Sequence, residues 1–473
     1  MNEIALFALA AAVLTTHATA ADDLLPELAP YKGPSRTDID ASTAKGKVLC
    51  GYQGWFRAPG DGVSDRWGHW SGATTVTAAN LTFEMWPDMT DYPAPERFPV
   101  QGLKHKDGSQ AYLFSSVRPA VVDLHFKWMR EYGIDGVCVQ RFLPDPPDPN
   151  SLHHTGVLAY ARNAANRTGR VFCVEYDMSG TPTDKLFDMI TSDWKFLVDR
   201  MQITLDKRYL HERGKPVLVV YGFFPDRFGP EVANKIIDFF KDDPRYGVFL
   251  VGAGAWWWRS ITDKGWPEVY RRFGMYSPWN VGNTMQSADG KLQMATTNYW
   301  SDDMKEAKKS GMMYLPVIYP GFSWDNLMRA YNQPQNVGHP ISRRGGEFLW
   351  EQFVTATELK PDALFVAMFD EVDEGTAIFK VTNDPPVGPH FVTLEGKPSD
   401  WYLRLVGAGT KMFRGAIPRT FVRHPIVVTI TSHTRTGPAS YPRPSRDRHP
   451  PRSTCAPSRP APAAWSPPSS GRS

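Results

Sequence analysis

Between Lys47 and Lys380 the chain repeats one pattern: a short apolar run, then a longer stretch whose apolar positions recur with helical spacing. Eight such runs read as strands. They are KVLCGYQGW (47–55), GVCVQRF (136–142), RVFCVEYDM (170–178), PVLVVYGFF (216–224), GVFLVGAG (247–254), MYSPWNVG (275–282), MYLPVIYPG (313–321) and LFVAMFDE (364–371). Most are apolar at consecutive rather than alternate positions, as expected of parallel strands covered on both faces. Helices are predicted over Pro119–Tyr132, His154–Thr168, Asp184–Met201, Pro230–Phe240, Ser301–Ser310 and Gly346–Glu358. Pro119 suits a first helical turn, and Gly133 and Gly311 suit C-terminal caps. Eight strands alternating with helices predict an α/β fold, a single (β/α)8 TIM barrel with long loops at its C-terminal face. A doubly wound open sheet is the rival, but no glycine-rich phosphate fingerprint follows the first strand.

A barrel of this kind gathers its chemistry at the C-terminal strand ends. Here those ends read Tyr52-Gln53-Gly54-Trp55, Gln140-Arg141-Phe142, Glu175-Tyr176-Asp177, Tyr221, Trp256 to Trp258, Trp279-Asn280, Tyr319 and Asp370-Glu371. The N-terminal ends carry nothing comparable, and that polarity is what a catalytic face requires.

Composition adds limits. A chain of 473 residues holds one large barrel domain or two smaller ones, and 42% hydrophobic with 22% charged residues is globular. Net charge is +3, but 421–473 contains eight Arg against one Asp, so the body is mildly acidic and gives no footprint for nucleic acid. That segment, with RPSRDRHPPRSTCAPSRPAPAAWSPPSSGRS, is Pro-, Arg- and Ser-rich and cannot bury a core. It reads either as a flexible tail or as a gene translated out of frame. At the other end, Ile4 to Leu14 form an apolar run of signal-peptide length, and Ala18-Thr19-Ala20 is a cleavage signal, although the leader has Glu3 and no Lys or Arg. The expectation is a signal peptide over 1–20, an N-terminal extension over 21–46, a barrel over 47–420 and export to the periplasm or beyond the cell. No other run reaches membrane length. Four cysteines lack metal-site spacing. Cys50, Cys138 and Cys173 read as buried thiols, with a Cys138–Cys173 bridge open because their strands are expected to be neighbours. No cofactor and no metal are implied.

The loop after the first strand, FRAPGDGVSDRWGHWSG, brings Trp67, His69 and Trp70 together, with Trp86 further on and Tyr52 and Trp55 just before it. Indole faces offer a flat apolar surface to a sugar ring, and His and Asp hydrogen-bond its hydroxyls. The cluster reads as a ligand platform, against the alternative of a local satellite core. The second feature is ALFVAMFDEVDEGTAIFK (363–380), where a buried strand runs into Asp370, Glu371, Asp373 and Glu374. In extended backbone Glu371 and Asp373 share a face; in a turn, favoured by Gly375, Glu371 and Glu374 meet at i and i+3. Two carboxyls in one cavity can divide into a base and a proton donor, which glycosidic cleavage needs. The alternatives are a solvated acidic rim, and a Ca²⁺ or Mg²⁺ site that lacks regular loop spacing. Glu175 and Asp177 are placed to hold sugar hydroxyls, or else to pair with Arg141; Arg141, Tyr221, Tyr319, Asp370 and Asp373 join the candidates for substrate contact.

Taken together, these segments resemble glycoside hydrolase family 99, the endo-α-mannosidases, and loosely defined family 71/99-like bacterial proteins, over roughly residues 47–380. The matching pieces are Tyr52, Trp55 and GHW (68–70), FCVEYD with Glu175, YPGF after the seventh strand, and Glu371-Val372-Asp373-Glu374-Gly375-Thr376 for the family's Glu-x-x-Glu-Gly-Thr. The resemblance implies a secreted hydrolase acting on an oligo- or polysaccharide, α-linked and mannan-like, with net retention. Glu371 would be the base on the sugar 2-hydroxyl, and Glu374 the acid and then base. This chain departs in having Asp370, Val372 and Asp373 where the family has Asn, Trp and His, so the reaction type transfers better than the substrate, and an α-glucan stays open. A non-catalytic glycan-binding barrel and a metal-dependent hydrolase built on Asp370, Glu371 and Asp373 are the competing functions.

Overall fold

Nine parallel strands form one curled sheet in the computed structural model, which describes residues 24–144, 150–332, 340–388 and 390–419. The expected leader (1–20) and the tail (421–473) lie outside the described residues. In chain order the strands are β1 (Val48–Tyr52), β2 (Gly136–Phe142), β3 (Val171–Asp177), β4 (Lys215–Phe223), β5 (Phe249–Ala255), β6 (Met275–Trp279), β7 (Met313–Tyr314), β8 (Val317–Ile318) and β9 (Leu364–Val366). Their order in the sheet is β7-β6-β5-β4-β3-β2-β1-β9-β8. The two ends of that path are almost continuous in the chain: β7 pairs with β6, β8 pairs with β9, and only Leu315 and Pro316 separate β7 from β8. The predicted seventh strand is therefore two short pieces. Pro316 has no N–H to give to a ladder, while its carbonyl still accepts from Phe365 N at 3.1 Å.

Continuous apolar runs are what a sheet covered on both sides needs. The outer cover is α1 (Pro119–Tyr132), α2 (His154–Thr168), α3 (Thr183–Asp199), α4 (Pro230–Asp242), α5 (Trp266–Tyr270), α6 (Trp300–Lys309), α7 (Asp325–Ala330), α8 (Glu347–Leu359) and α9 (Trp401–Phe413). Gly133 caps α1 at φ 78°, in the left-handed region that favours glycine. Helix α9 is absent from the sequence expectation because Gly407 and Gly409 weaken a helical reading. Packing explains them: a Cβ at 407 would lie 2.0 Å from the Tyr132 carbonyl oxygen, and one at 409 would lie 2.6 Å from the Phe353 ring. Small residues let α9 seat between α1 and α8. Three antiparallel hairpins, 98–104 with 110–113, 211–212 with the start of β4, and 284–286 with 293–295, were likewise not anticipated.

The extension before β1 lies along the outside of the sheet's helical layer. Arg36 N donates to Asn166 O (2.9 Å), Ile39 N to Gly169 O (3.1 Å) and His211 N to Ala41 O (2.7 Å). Ala44 N donates to the Glu212 carboxylate at 2.8 Å, and Leu28 is fully buried. No helix among the described residues is long and apolar enough to cross a membrane. The Cys138 and Cys173 sulfurs, directly opposed on β2 and β3, stand 3.4 Å apart as free thiols.

Candidate active site

Side chains alternate across a strand, so neighbours at a strand end serve different layers. On β3, Glu175 and Asp177 share one face with Gln140 of β2 and Tyr221 of β4, whereas Tyr176 and Arg141 take the other. Arg141 and Tyr176 both reach Asp193 of α3, with Arg141 Nε donating at 2.7 Å. Arg141 is thus bound up in a buried ion pair under the helices, and neither substrate nor Glu175 can claim it. The same parity removes Tyr52 from the expected site, and packing against α8 occupies Tyr319. The Tyr52 hydroxyl lies 2.9 Å from His125 Nδ1 on α1, and Tyr92 meets the other ring nitrogen at 2.8 Å. Burial lowers the His125 pKa to about 3, so the neutral ring donates to one tyrosine and accepts from the other. Tyr319 donates its hydroxyl to Asn283 O (2.7 Å), packs on Phe348 and exchanges backbone bonds with Gln352 of α8. All three residues build the wall behind the site.

Beyond β9 the apolar run continues to Phe369 and then turns at 372–375. Gly375 sits at φ 62°, and the Glu371 carbonyl accepts from Thr376 N (3.2 Å) and Ala377 N (2.9 Å), which closes the turn. Asp370, expected to touch substrate, instead accepts from the backbone of Gln53 (2.8 Å) and Gly54 (2.9 Å). It pins the turn to the end of β1. Val372 is buried beneath, leaving Glu371, Asp373 and Glu374 to the strand ends.

These three carboxyls are desolvated and crowd one another. Burial pushes Glu371 well above the ordinary carboxyl range, and the charges of Glu374 and then Asp373 add to the rise. Burial likewise raises Glu374 to about 7, helped by Asp373 and Asp177. Asp373 is pushed well up by burial alone, and the adjacent Trp55 N–H opposes the shift. Glu374 is the most exposed of the three, and no hydrogen bond to its carboxyl is found among the described residues. Across the sheet end, burial and then the Asp177 charge raise Glu175 to about 8. Asp177 accepts from Ser179 N (2.8 Å) and lies 3.5 Å from Gln140 Nε2. Arg227, absent from the sequence expectation, donates to Ser179 Oγ (2.7 Å) and lies over the Tyr221 ring, with Trp279 against the same ring at 5.1 Å. Nothing in FFPDRFG marks Arg227 beforehand; Gln53 and Gln140 were legible from strand parity.

The aromatic loop divides. Trp70 is fully buried among Phe56, Phe83 and Phe114 and donates its indole N–H to Phe114 O at 3.1 Å. Trp67 and Trp86 are buried too, so this part of the expected ligand platform is a satellite core. Trp55 and His69 remain at the mouth, stacked with centroids 4.1 Å apart and planes within 6°. His69 adopts φ 60°, costly for a non-glycine residue. Its carbonyl is held by Thr82 Oγ1 (2.9 Å), and its Nδ1 stands 3.4 Å from Asp373 Oδ2. A second support reaches the acidic turn from below. Glu84 is buried, accepts from Ser323 Oγ (2.8 Å) and Asn326 N (2.5 Å), and donates its own N–H to Val372 O (2.8 Å). Ser323 N in turn donates to Glu374 O at 2.9 Å. Among the described residues, no three His, Cys, Asp or Glu side chains are placed to hold a metal ion.

A curled parallel sheet under a layer of helices is a fold known from solved structures. Two solved structures of the family 99 endo-α-mannosidase from Bacteroides thetaiotaomicron share it. One superimposes with a TM-score of 0.56 at 16% identity, covering 79% of this chain and 99% of that one. The other, in complex with bis-tris-propane, gives 0.56 at 15% with the same coverage. The fold is thus like that of family 99 to the extent of a curled sheet of nine parallel strands, rather than the closed eight-stranded barrel expected. No protein-family profile and no curated protein sequence matches the chain.

Proposed function

We propose that this chain is an exported glycoside hydrolase that cleaves an α-linked, mannan-like glycan with retention, using Glu371 and Glu374. The reading takes 313–318 as one interrupted strand that closes the sheet into an eight-unit barrel, with the acids at its mouth. The observation that carries it is the pairing of Glu371 and Glu374 on one turn, both raised by burial, with the Glu374 charge acting on Glu371. Glu371 removes the proton of the sugar 2-hydroxyl as that oxygen attacks the anomeric carbon. The glycosidic bond breaks, and Glu374 gives its proton to the leaving oxygen. Water then adds to the anomeric carbon while Glu374 takes its proton; the 2-oxygen recovers a proton from Glu371, and two inversions leave the configuration retained. Trp55 and His69 offer a stacked surface at the mouth, and Glu175, Asp177 and Tyr221 face the ring hydroxyls from β3 and β4. The test is a panel of α-mannans, α-glucans and xylans with product anomers followed by NMR. Release of reducing ends with retained anomer, lost in both Glu371→Gln and Glu374→Gln, is expected; wild-type cleavage by both variants would remove the pair from the mechanism.

A further inference from the structure

Resting on that glycosidase reading, we propose that the site accepts a sugar unit bearing a free amine, a hexosamine ammonium, with the Asp373 carboxylate as its counter-ion. The charges within the site lead there. Glu371, Asp373, Glu374, Glu175 and Asp177 crowd the strand ends, yet glycosidic cleavage employs only two carboxyls. Among the described residues, Arg227 and the His69 imidazole face them. Arg227 is held by the Ser179 hydroxyl at 2.7 Å and acts on Asp177; His69 stands 3.4 Å from one oxygen of Asp373. The other oxygen of Asp373, Oδ1, is buried without a hydrogen-bond partner, on a residue 5% exposed. Glu175 Oε2 is in the same condition on a residue 3% exposed.

A sugar hydroxyl satisfies the hydrogen bonding of a carboxylate but leaves its charge unmatched; an ammonium brings several N–H donors and the missing charge together. A divalent cation needs a convergent oxygen cage, and these carboxyls are not grouped in that way. In the free site, burial keeps protons on these acids, with Glu374 raised to about 7. An arriving ammonium takes the place of a proton, so binding releases one to solvent.

Titration calorimetry of the full chain with glucosamine against glucose, and mannosamine against mannose, tests this. At about pH 7 each amino sugar is expected to bind about tenfold more tightly than its neutral parent. The margin should shrink by about pH 5.5, where displacing a proton from the site costs more. Enthalpies measured in buffers of different ionisation heat should report proton release by the amino sugars alone. Asp373→Asn should erase the margin; if that variant does not fold, the wild-type pH dependence and proton count decide. Equal affinities, no detectable binding of the amino sugars, or a margin that survives Asp373→Asn overturns the inference. Cleavage of neutral glycans without any amine preference sinks it while the glycosidase reading stands; amine preference with no glycan cleaved does the reverse.

Discussion

At the scale of single residues, the order of the two glutamates matters. The base role assigned to Glu371 needs it ionised, and the acid role of Glu374 needs it protonated. Burial raises both, Glu374 to about 7, and the Glu374 charge adds to the rise at Glu371. The two titrate together, so the apparent constants belong to the pair. Activity is lost on the acid side as Glu371 takes a proton and on the alkaline side as Glu374 gives one up. A plot of kcat/KM against pH should be bell-shaped, with its acid limb well above the ~4.3 of an ordinary glutamate; an acid limb at the ordinary value would refute the rise that burial imposes on the pair. Glu374→Gln should lower kcat by about 10³-fold while calorimetry still detects sugar. Trp55→Ala should act on KM more than on kcat, because the indole only presents a surface.

At the scale of elements, the acidic turn is held from two sides, by Asp370 on the β1 backbone and by Glu84 through Val372 and Ser323. Glu84→Ala leaves the Asn326 N–H and the Ser323 hydroxyl without their acceptor, at a cost of about 2 kcal/mol. We expect a lower melting temperature together with a fall in kcat that Glu84→Gln partly rescues. Gly407→Val drives a side chain into the Tyr132 carbonyl and should destabilise by about 1–3 kcal/mol, read by denaturant titration. Elements of this kind also set what the sequence could reveal. Continuous apolar runs and proline- or glycine-marked helix ends displayed the strand–helix alternation, and α1 and α2 have the bounds read from the chain. Strand ends were harder. A strand offers neighbouring residues to opposite layers, so Tyr52 and Arg141 looked like mouth residues and belong to the helical layer. Trp67 and Trp70 could not be told from a ligand platform, because a Gly-rich loop can fold its aromatics inward or outward. Long-range partners such as Glu84 with Ser323 leave no local trace.

For the whole molecule, the buried acids link stability to pH. Glu84, Asp370 and Glu374 are raised to about 7 and Glu175 to about 8, each chiefly by burial. A carboxyl whose pKa is higher in the folded state contributes stability that is complete below its unfolded value. That contribution is lost as pH rises through the folded value. The melting temperature should therefore fall between about pH 5 and about pH 8, and Glu175→Gln, which stays neutral throughout, should flatten the slope and melt some 2–4 °C higher at the alkaline end. A flat profile would contradict the burial of these groups. The segment from Leu28 to Ala44 bears on handling as well as on architecture. By hydrogen-bonding along the end of α2 and the start of β4's hairpin partner, it works as a girdle around one flank. Trimming the gene to begin at Lys47 would strip that girdle away and bare backbone acceptors and apolar wall together. The shortened product should be recovered mostly from inclusion bodies, even though every group assigned to chemistry would still be encoded.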